Sequence, residues 1–542
     1  MIGRANSVPR DQPMAVFFDN QDEAGISPFG AVVAPTRIMP CASEDISDRQ
    51  CGGAVRDSSH RTGATRTRRV LFISSRFPPA QSAGVTRVRK FVKYLGDFSW
   101  HVTVLTGPVA GRSQGEQTGN VDRGWFATDS CNGPLREIVG GVDGVELKGV
   151  KCPIVARSTF GLLEDAGALA YRVADVLSWA TRPAGLDRAW WRDCSSWRIE
   201  SLVGRLTLPD KGIWRLRCAA ALALRLHRRL RFDAVFSSGM PFSDHLAALV
   251  VRRLIGRPWI ADFRDPWVEY AHFAQWRSRW GQLATQFLER RVVCGASRVV
   301  VVNDHMGRRF RERYPDQRGR KFVTIENGFD PSDFPASSID RSAGDEFRLL
   351  HAGSLYGARR PDELLKGFRK FLESTADSRR FARLDFLGRV GPNLAQINQF
   401  PIDGCVRYLG EVSHPKAVQL MAEADVNIVL LPNVIGGDGD TTAKVYECIG
   451  SQRPILAVVP ASGSAADVLR RVDGVWFCDP QDADGIASAI RVLYDRWLTG
   501  RLLVTRTVES LKPLTRRYQA QRLARELDAI VSQRVPLGGF HR

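Results

Sequence analysis

Short apolar runs alternate with stretches of helical spacing along most of this chain. The first run, at residues 70–74, is followed by a loop with Pro and Gly, a helical stretch at 86–95 and a second run at 101–105. Continuous apolar runs bounded by turn residues are typical of strands that are buried on both faces of a parallel sheet. This order predicts a βαβ unit, in which a ligand would lie beyond the carboxyl end of the strand.

The same alternation continues to about residue 510 in two series that each open with a strand and a glycine loop. Further runs that fit buried strands lie at 234–238, 258–262, 298–302, 322–326, 347–352, 383–387, 406–409, 426–431 and 455–459. We therefore expect an α/β fold with two doubly wound Rossmann-like domains that face a cleft. The predicted bounds are 1–68 for a disordered leader, 69–340 for the N-terminal domain with an insertion at about 107–211, 341–510 for the C-terminal domain, and 511–542 for a helix and tail.

Composition and charge restrict the class of protein. With 44% hydrophobic and 25% charged residues over 542 positions, the chain is an ordinary globular protein. Its 77 Lys and Arg residues exceed its 58 Asp and Glu residues by 19, and residues 1–68 contribute nothing to this excess because they hold eight Arg and eight acidic residues. Such a charge indicates an anionic partner, which could be nucleic acid, an anionic membrane surface or a phosphorylated substrate.

The sequence also indicates the compartment. Its apolar stretches are shorter than the roughly 18 residues that a membrane-spanning helix needs, and the N-terminus lacks the charged-then-apolar order of a signal peptide. The ten cysteines contain no C-x-x-C pair and are expected to be reduced thiols. We therefore expect a cytoplasmic protein, which at most lies on the inner leaflet of the cell membrane.

Two candidate sites follow predicted strands of the N-terminal domain. Gly84 lies in a loop of small residues, where backbone N–H groups could approach an anionic ligand, although a tight turn would explain it equally. This loop is not G-x-G-x-x-G, and G-x-x-x-x-G-K-[ST] occurs nowhere in the chain, which disfavours dinucleotide dehydrogenases and P-loop enzymes. Asp262, Arg264 and Asp265 follow a buried strand, where α/β enzymes place their sites. An internal salt bridge is the alternative for these three residues.

A third candidate opens the C-terminal domain. Gly353 and Ser354 follow its first predicted strand, and Arg359 and Arg360 lie a few residues further on. The glycine permits close approach of a ligand, the hydroxyl can hydrogen-bond to it, and a guanidinium can pair with phosphate in bidentate fashion. A solvated basic loop is the competing explanation.

The fourth candidate is the most specific. Asp440, Thr441 or Thr442 could cap a helix whose N-terminus suits a diphosphate. Lys444 and Glu447 are three residues apart and therefore share one face of that helix. A cation for phosphate beside a carboxylate for sugar hydroxyls indicates a nucleotide-sugar site, whereas the alternative is a surface ion pair.

The ordered series of motifs resembles the GT-B glycosyltransferases of family 4, in particular bacterial polysaccharide-type members with a D-F-R-D-P-W segment. The resemblance covers about residues 70–510. Its motifs are F-P-P…G-x-x-R from residue 77, L-P-D…W at 208–214, S-S-G-M-P at 237–241, D-F-R-D-P-W at 262–267, E-N-G-F-D at 326–330, H-A-G-S-L-Y at 351–356 and K-V-Y-E…P at 444–454.

The resemblance implies sugar transfer from a nucleoside diphosphate donor on the C-terminal domain to an acceptor on the N-terminal domain, with retention and without a metal or other cofactor. Glu447 matches the second acid of the family's E-x7-E motif, which binds the donor ribose. Gly439 replaces the first acid, for which Asp438 or Asp440 might substitute, and Arg264 stands where the family usually has a His. The residues expected to bind the donor are Gly84, Gly353, Ser354, Arg359, Arg360, Thr442, Lys444 and Glu447. Those expected at the reacting centre are Asp262, Arg264, Asp265 and Lys444.

Two other classes of function stay open. A catalytically inactive glycosyltransferase-like scaffold would explain Gly439 and Arg264. A nucleic-acid-binding protein would explain the positive charge. The Arg residues around Arg308, however, are not part of a known nucleic-acid-binding motif, so we expect no nucleic-acid partner.

The acceptor is expected to be a glycan or a lipid-linked glycan. Trp190, Trp191 and Trp197 in the predicted insertion lie beside Arg residues, which suits docking on an anionic membrane surface. Packing of these indoles in a core is the alternative.

Overall fold

A computed structural model describes residues 67–77, 83–106, 126–129, 208–210, 212–213, 216–269, 279–317, 320–335, 346–402, 404–433 and 441–533. Almost all of the predicted leader and insertion lie outside these residues. So do the three Trp residues of the insertion, and Gly439 with its two neighbouring Asp residues.

The first sheet contains the strands β1 (Arg68–Ile73), β2 (Trp100–Thr106), β3 (Phe126–Asp129), β4 (Ala234–Gly239), β5 (Trp259–Phe263), β6 (Arg298–Val301) and β7 (Phe322–Thr324). Their order is β3-β2-β1-β4-β5-β6-β7, and the pairs are parallel apart from β2 with β3. The helices between these strands are α1 (Ala83–Leu95), α2 (Leu216–Leu230), α3 (Ser243–Ile255), α4 (Arg279–Gly295) and α5 (Asp304–Arg313). The strand order reverses between β1 and β4, so a ligand crevice is expected at their carboxyl ends.

The second sheet repeats this order with wholly parallel pairing. Its strands are β8 (Phe347–Ala352), β9 (Ala382–Leu387), β10 (Val406–Tyr408), β11 (Val426–Leu430), β12 (Ile455–Val458) and β13 (Val475–Cys478), in the order β10-β9-β8-β11-β12-β13. The accompanying helices are α6 (Asp362–Ser374), α7 (Ser378–Phe381), α8 (Leu394–Asn398), α9 (His414–Glu423), α10 (Ala443–Gly450), α11 (Ser464–Leu469), α12 (Ala483–Leu498), α13 (Val508–Leu511) and α14 (Arg516–Ser532). The corresponding crevice lies between β8 and β11.

The predicted α/β fold with two doubly wound domains is confirmed. β1, β4, β5, β8 and β12 begin and end within two residues of the predicted apolar runs, because helices cover both faces of each sheet and the strands need apolar residues throughout. In the part of the chain that the structure describes, each helix is too short or too polar to span a membrane.

The last helix packs on the first domain, although it follows the second sheet in the chain. Ala520, Leu523 and Leu527 of α14 are buried in one apolar cluster with Phe91 of α1 and Trp100 of β2. The sequence predicts a helix after residue 511, and the structure shows that its apolar face completes the core of the first domain.

Two segments that join the domains run side by side just before α14. The N–H of Phe329 donates to the carbonyl oxygen of Leu514 at 3.0 Å, and the N–H of Arg516 donates to the carbonyl oxygen of Phe329 at 2.7 Å. A Cβ atom at Gly328 would lie 2.7 Å from the carbonyl oxygen of Leu514. Glycine is therefore needed here for the backbones to approach.

Shortening a buried apolar side chain of α14 should destabilise the first domain. Leu523→Ala is expected to lower the free energy of unfolding by about 2–5 kcal/mol, because it leaves a cavity in a fully buried cluster. Urea denaturation of the full chain measures the change. Val508→Ala, at an exposed position of α13, is the control and should change stability by less than about 0.5 kcal/mol. Equal effects of the two substitutions would contradict the packing role.

Candidate functional site

A buried histidine lies at the carboxyl end of β8. Nδ1 of His351 is 3.3 Å from the carbonyl oxygen of Ile428 on β11, and among the residues that the structure describes Nε2 is buried without a hydrogen-bond partner. Burial, together with the charges of Arg359 and Lys444 and against the hydrogen bond to Ile428, lowers the pKa of His351 to about 4, so the ring is neutral at pH 7. A Cβ atom at Gly353 would lie only 3.2 Å from Nε2. The glycine thus keeps open the space in front of this unpaired nitrogen.

The two adjacent arginines after β8 have different surroundings. Nε of exposed Arg360 donates to the carboxylate of Asp362 at 2.9 Å, which is a surface ion pair. The guanidinium of Arg359 lies 5.2 Å from the ring centre of Tyr356, and its Nε is buried without a partner. The charge of Arg359 lowers the pKa of His351, so Arg359 stays a candidate for the site, whereas Arg360 lies on the surface.

Glu447 on α10 is held between two basic side chains. Nζ of Lys444 lies 2.7 Å from one carboxylate oxygen, and Nε2 of His414 lies 3.0 Å from the other. Burial opposes ionisation of this carboxyl group, but Lys444 and His414 outweigh it and lower the pKa of Glu447 to about 2. The carboxylate is therefore ionised at pH 7. The ion pair of Lys444 with Glu447, which was the alternative to a nucleotide-sugar site, is present, with Glu447 buried and Lys444 half-buried.

The N-terminus of α10 lies beside these charges. Thr442 directly precedes the helix, and its side chain makes no capping hydrogen bond. The hydroxyl of Thr441 bonds instead to the hydroxyl of Ser464 at the start of α11, at 2.5 Å. Asp440 lies outside the described residues, and Ser354 is half-buried after β8. Part of the first turn of α10 is thus left for other hydrogen-bond partners.

The glycine loop and the D-F-R-D segment of the first domain meet at one point. Nε and Nη2 of Arg264 donate to the carbonyl oxygens of Gly239 and Met240, each at 2.6 Å. The guanidinium then lies so close to Gly84 that a Cβ atom there would be 1.3 Å from Nη1. Burial lowers the pKa of Arg264, against the charge of nearby Asp265. Only glycine at position 84 leaves room for this cation at the start of α1.

Asp262 is part of an internal ion pair and does not line an open site. Its carboxylate accepts hydrogen bonds from Nη2 of Arg87 at 2.9 Å, from Nε of Arg87 at 3.1 Å and from the hydroxyl of Ser238 at 2.7 Å. Asp262 and Arg87 are both fully buried. The structure therefore agrees with the salt-bridge alternative for Asp262, while Arg264 and Asp265 are half-buried and reach the edge of the sheet.

A buried carboxyl group that the sequence analysis missed lies in the same region. The N–H and the hydroxyl of Ser75, just after β1, donate to Oδ2 of Asp244 at 2.8 and 3.1 Å. Burial raises the pKa of Asp244 to about 8, and the charge of Asp210 adds to the rise, while Ser75 and Arg264 oppose it. The sequence did contain a signal for this group, because Asp244 lies in the first turn of a helix that follows a strand. An acid at this position is ordinarily explained by its favourable interaction with the helix dipole.

The segment after β7 connects the two candidate sites. Arg87 donates to the carbonyl oxygen of Glu326 at 2.8 Å, and Arg516 donates to the side-chain oxygen of Asn327 at 3.1 Å. Burial lowers the pKa of Arg516 to about 10, Arg87 acts in the same direction, and Glu447 opposes it. Arg516 therefore lies within electrostatic reach of the ion pair in the first domain and of the acid in the second.

Comparison with known proteins agrees with this architecture. A family model described as Glycosyltransferase Family 4 matches residues 157–333. The sucrose-phosphate synthase of Thermosynechococcus elongatus has 14% sequence identity and a TM-score of 0.51, with 85% of this chain and 99% of that chain covered. A glycosyltransferase from Rickettsia africae has 11% identity and a TM-score of 0.50, with 86% and 100% covered. No curated protein matches the sequence.

The resemblance to glycosyltransferases of family 4 is thus confirmed over residues 157–333, which the family model matches. At these identities the solved structures establish a shared fold, the GT-B arrangement of two Rossmann-like domains. The family model covers much of the first domain, including the D-F-R-D-P-W segment. The functions expected of individual site residues stay predictions.

Asp244→Asn should change how stability depends on pH. Asp244 keeps its proton in the folded protein up to about pH 8, but loses it near its ordinary pKa of 3.8 in the unfolded chain. Its contribution to stability is therefore lost as the pH rises between these values. Asparagine resembles the protonated carboxyl group, so the Tm of the variant minus that of the wild type should rise from about pH 5 to about pH 9. A difference that does not vary with pH would contradict the buried, protonated state.

Proposed function

We propose that this protein transfers a sugar from a nucleoside diphosphate donor, bound at the carboxyl end of β8, to an acceptor at the carboxyl ends of β1 and β5. The supporting observation is the set of polar groups after β8 and on α10: Nε2 of His351 and Nε of Arg359 are buried without partners among the described residues, and Lys444 is held by Glu447. Two cations beside a helix N-terminus suit a diphosphate. The ionised carboxylate of Glu447 next to them suits the hydroxyls of a ribose.

The chemistry requires stabilisation of the leaving group. Transfer breaks the bond between the anomeric carbon and an oxygen of the β-phosphate, so negative charge develops on the diphosphate, while a bond to the acceptor oxygen forms. Preorganised cations and N–H groups stabilise such charge most effectively where water is excluded. We assign this role to Arg359, Lys444 and the first turn of α10, without a metal or other cofactor, and expect retention at the anomeric carbon.

The first domain would hold the acceptor. Arg264 and Asp265 lie at the carboxyl edge of its sheet, where the guanidinium fills the space that Gly84 leaves. A cation and a carboxylate at this edge can hydrogen-bond to sugar hydroxyls or pair with a phosphate of the acceptor. We propose a glycan or lipid-linked glycan as acceptor, in polysaccharide or glycolipid biosynthesis on the cytoplasmic side of the membrane.

One observation favours a second candidate, the inactive scaffold. Both carboxylate oxygens of Glu447 already have basic partners, so a ribose would have to share or displace these contacts. Isothermal titration calorimetry with UDP and GDP separates the two functions. Binding of either nucleotide supports a donor site, and binding of neither supports the scaffold.

Lys444→Ala should lower turnover by about 100-fold or more, because one preorganised cation at the leaving group is lost. Release of nucleoside diphosphate from the accepted nucleotide sugar measures the rate. Lys370→Ala is the control, because exposed Lys370 pairs with Asp484 on the surface. Near-normal transfer by correctly folded Lys444→Ala would refute the role of Lys444.

The neighbouring arginines provide a matched pair of variants. Arg359→Ala should weaken binding of the nucleoside diphosphate by about tenfold or more, since a charge-assisted hydrogen bond contributes about 1.5–3 kcal/mol. Arg360→Ala should leave the affinity nearly unchanged, because Arg360 is exposed and forms an ion pair with Asp362. Calorimetric titration gives both values. Equal losses of affinity for the two variants would contradict a specific role of Arg359 in binding the diphosphate.

A further inference from the structure

The outer face of α4 is apolar and exposed. Trp280, Leu283 and Phe287 have exposed fractions of 81%, 56% and 61%. Spacings of three and four residues place these side chains above one another on one face of a helix. Three large apolar side chains in one row form a patch, which differs from the single exposed apolar residues of ordinary surfaces.

The opposite face of α4 is fixed to the first domain. Glu289 is fully buried and accepts hydrogen bonds from the N–H of Val268 at 2.9 Å and from the hydroxyl of Tyr314 at 2.6 Å. Val292 and Val293 are buried in the core beside it. The helix therefore cannot turn its apolar row inward without breaking these contacts.

The charges on the outer face are positive. Arg279 and Arg291 are exposed, and the guanidinium of Arg291 lies 5.9 Å from the ring centre of Phe287. The only acid in the sequence of α4 is the buried Glu289. Arg290, three residues after Phe287, pairs with the exposed carboxylate of Asp316 at 2.9 Å, and Arg279 and Arg291 add further positive charge. A row of Trp, Leu and Phe with an excess of Arg beside it is typical of helices that lie in the interface of an anionic bilayer.

The position of the row relates it to the candidate acceptor site. Because α4 connects the parallel strands β5 and β6, it begins at the carboxyl edge of the sheet and runs back to the opposite edge. Trp280 and Leu283 lie in its first two turns, and Arg264 follows β5 at the same edge.

We propose that this face of α4 docks on an anionic phospholipid leaflet and thereby presents a lipid-linked acceptor to the edge of the first sheet. The docking surface is independent of the transferase activity, whereas the lipid-linked nature of the acceptor rests on the proposed function. A second copy of this chain is the competing occupant, and the test below distinguishes the two.

The test compares two triple variants of the full chain. The first carries Trp280→Ser, Leu283→Ser and Phe287→Ser. The second, a matched control, carries Leu498→Ser, Leu503→Ser and Val508→Ser, at positions with exposed fractions of 58%, 65% and 76%. Co-sedimentation with phosphatidylcholine vesicles, with and without phosphatidylglycerol, measures binding.

Wild type and control should bind the anionic vesicles, less strongly at high salt because the Arg charges are screened. The α4 variant should bind at least about tenfold more weakly. Absence of wild-type binding, or equal binding by both variants, would overturn the proposal. So would a dimer of the wild type, seen by light scattering, that only the α4 variant abolishes. Calorimetry with UDP and GDP on the α4 variant, which should match the wild type, reports separately on the donor site.

Discussion

The buried ion pair of Arg87 with Asp262 determines the arrangement of the first domain. It joins α1 to the carboxyl end of β5, and further hydrogen bonds from the same guanidinium reach the carbonyl oxygens of Ile325 and Glu326. Removing one partner of such a pair costs about 3–5 kcal/mol, because the other charge stays buried without compensation. The pair therefore fixes the position of three segments at once. These segments carry the glycine loop, Arg264 and the link to the second domain.

Some of the positive charge of the chain has a structural use. Arg506 donates to the carbonyl oxygens of Asp473, Ile449 and Arg453 and is nearly fully buried. Arg453 in turn donates to the carbonyl oxygen of Ala422. Such guanidiniums satisfy backbone acceptors at helix and strand ends, where a single Arg can serve several carbonyl groups. The excess of 19 positive charges is thus not in itself a measure of affinity for an anionic partner.

The strands could be predicted from the sequence because a doubly covered sheet favours apolar residues at most positions of a strand. The site could be predicted only in part, since local sequence does not show partners that are far away along the chain. The side chain of Asp262 meets Arg87 across 175 positions, and nothing near Asp262 indicates this partner. Arg359 and Arg360 are chemically identical, and only the nearby Asp362 and His351 distinguish them. The burial of Asp244 likewise depends on β1 and its loop, which are distant in sequence.

The side-by-side segments at Phe329 and Arg516 restrict how the two domains can move. Two neighbouring connections that are hydrogen-bonded to each other form a hinge with one preferred axis. A single flexible linker would allow rotation in any direction. A rotation of one domain against the other is instead restricted to the direction in which both connections can bend together.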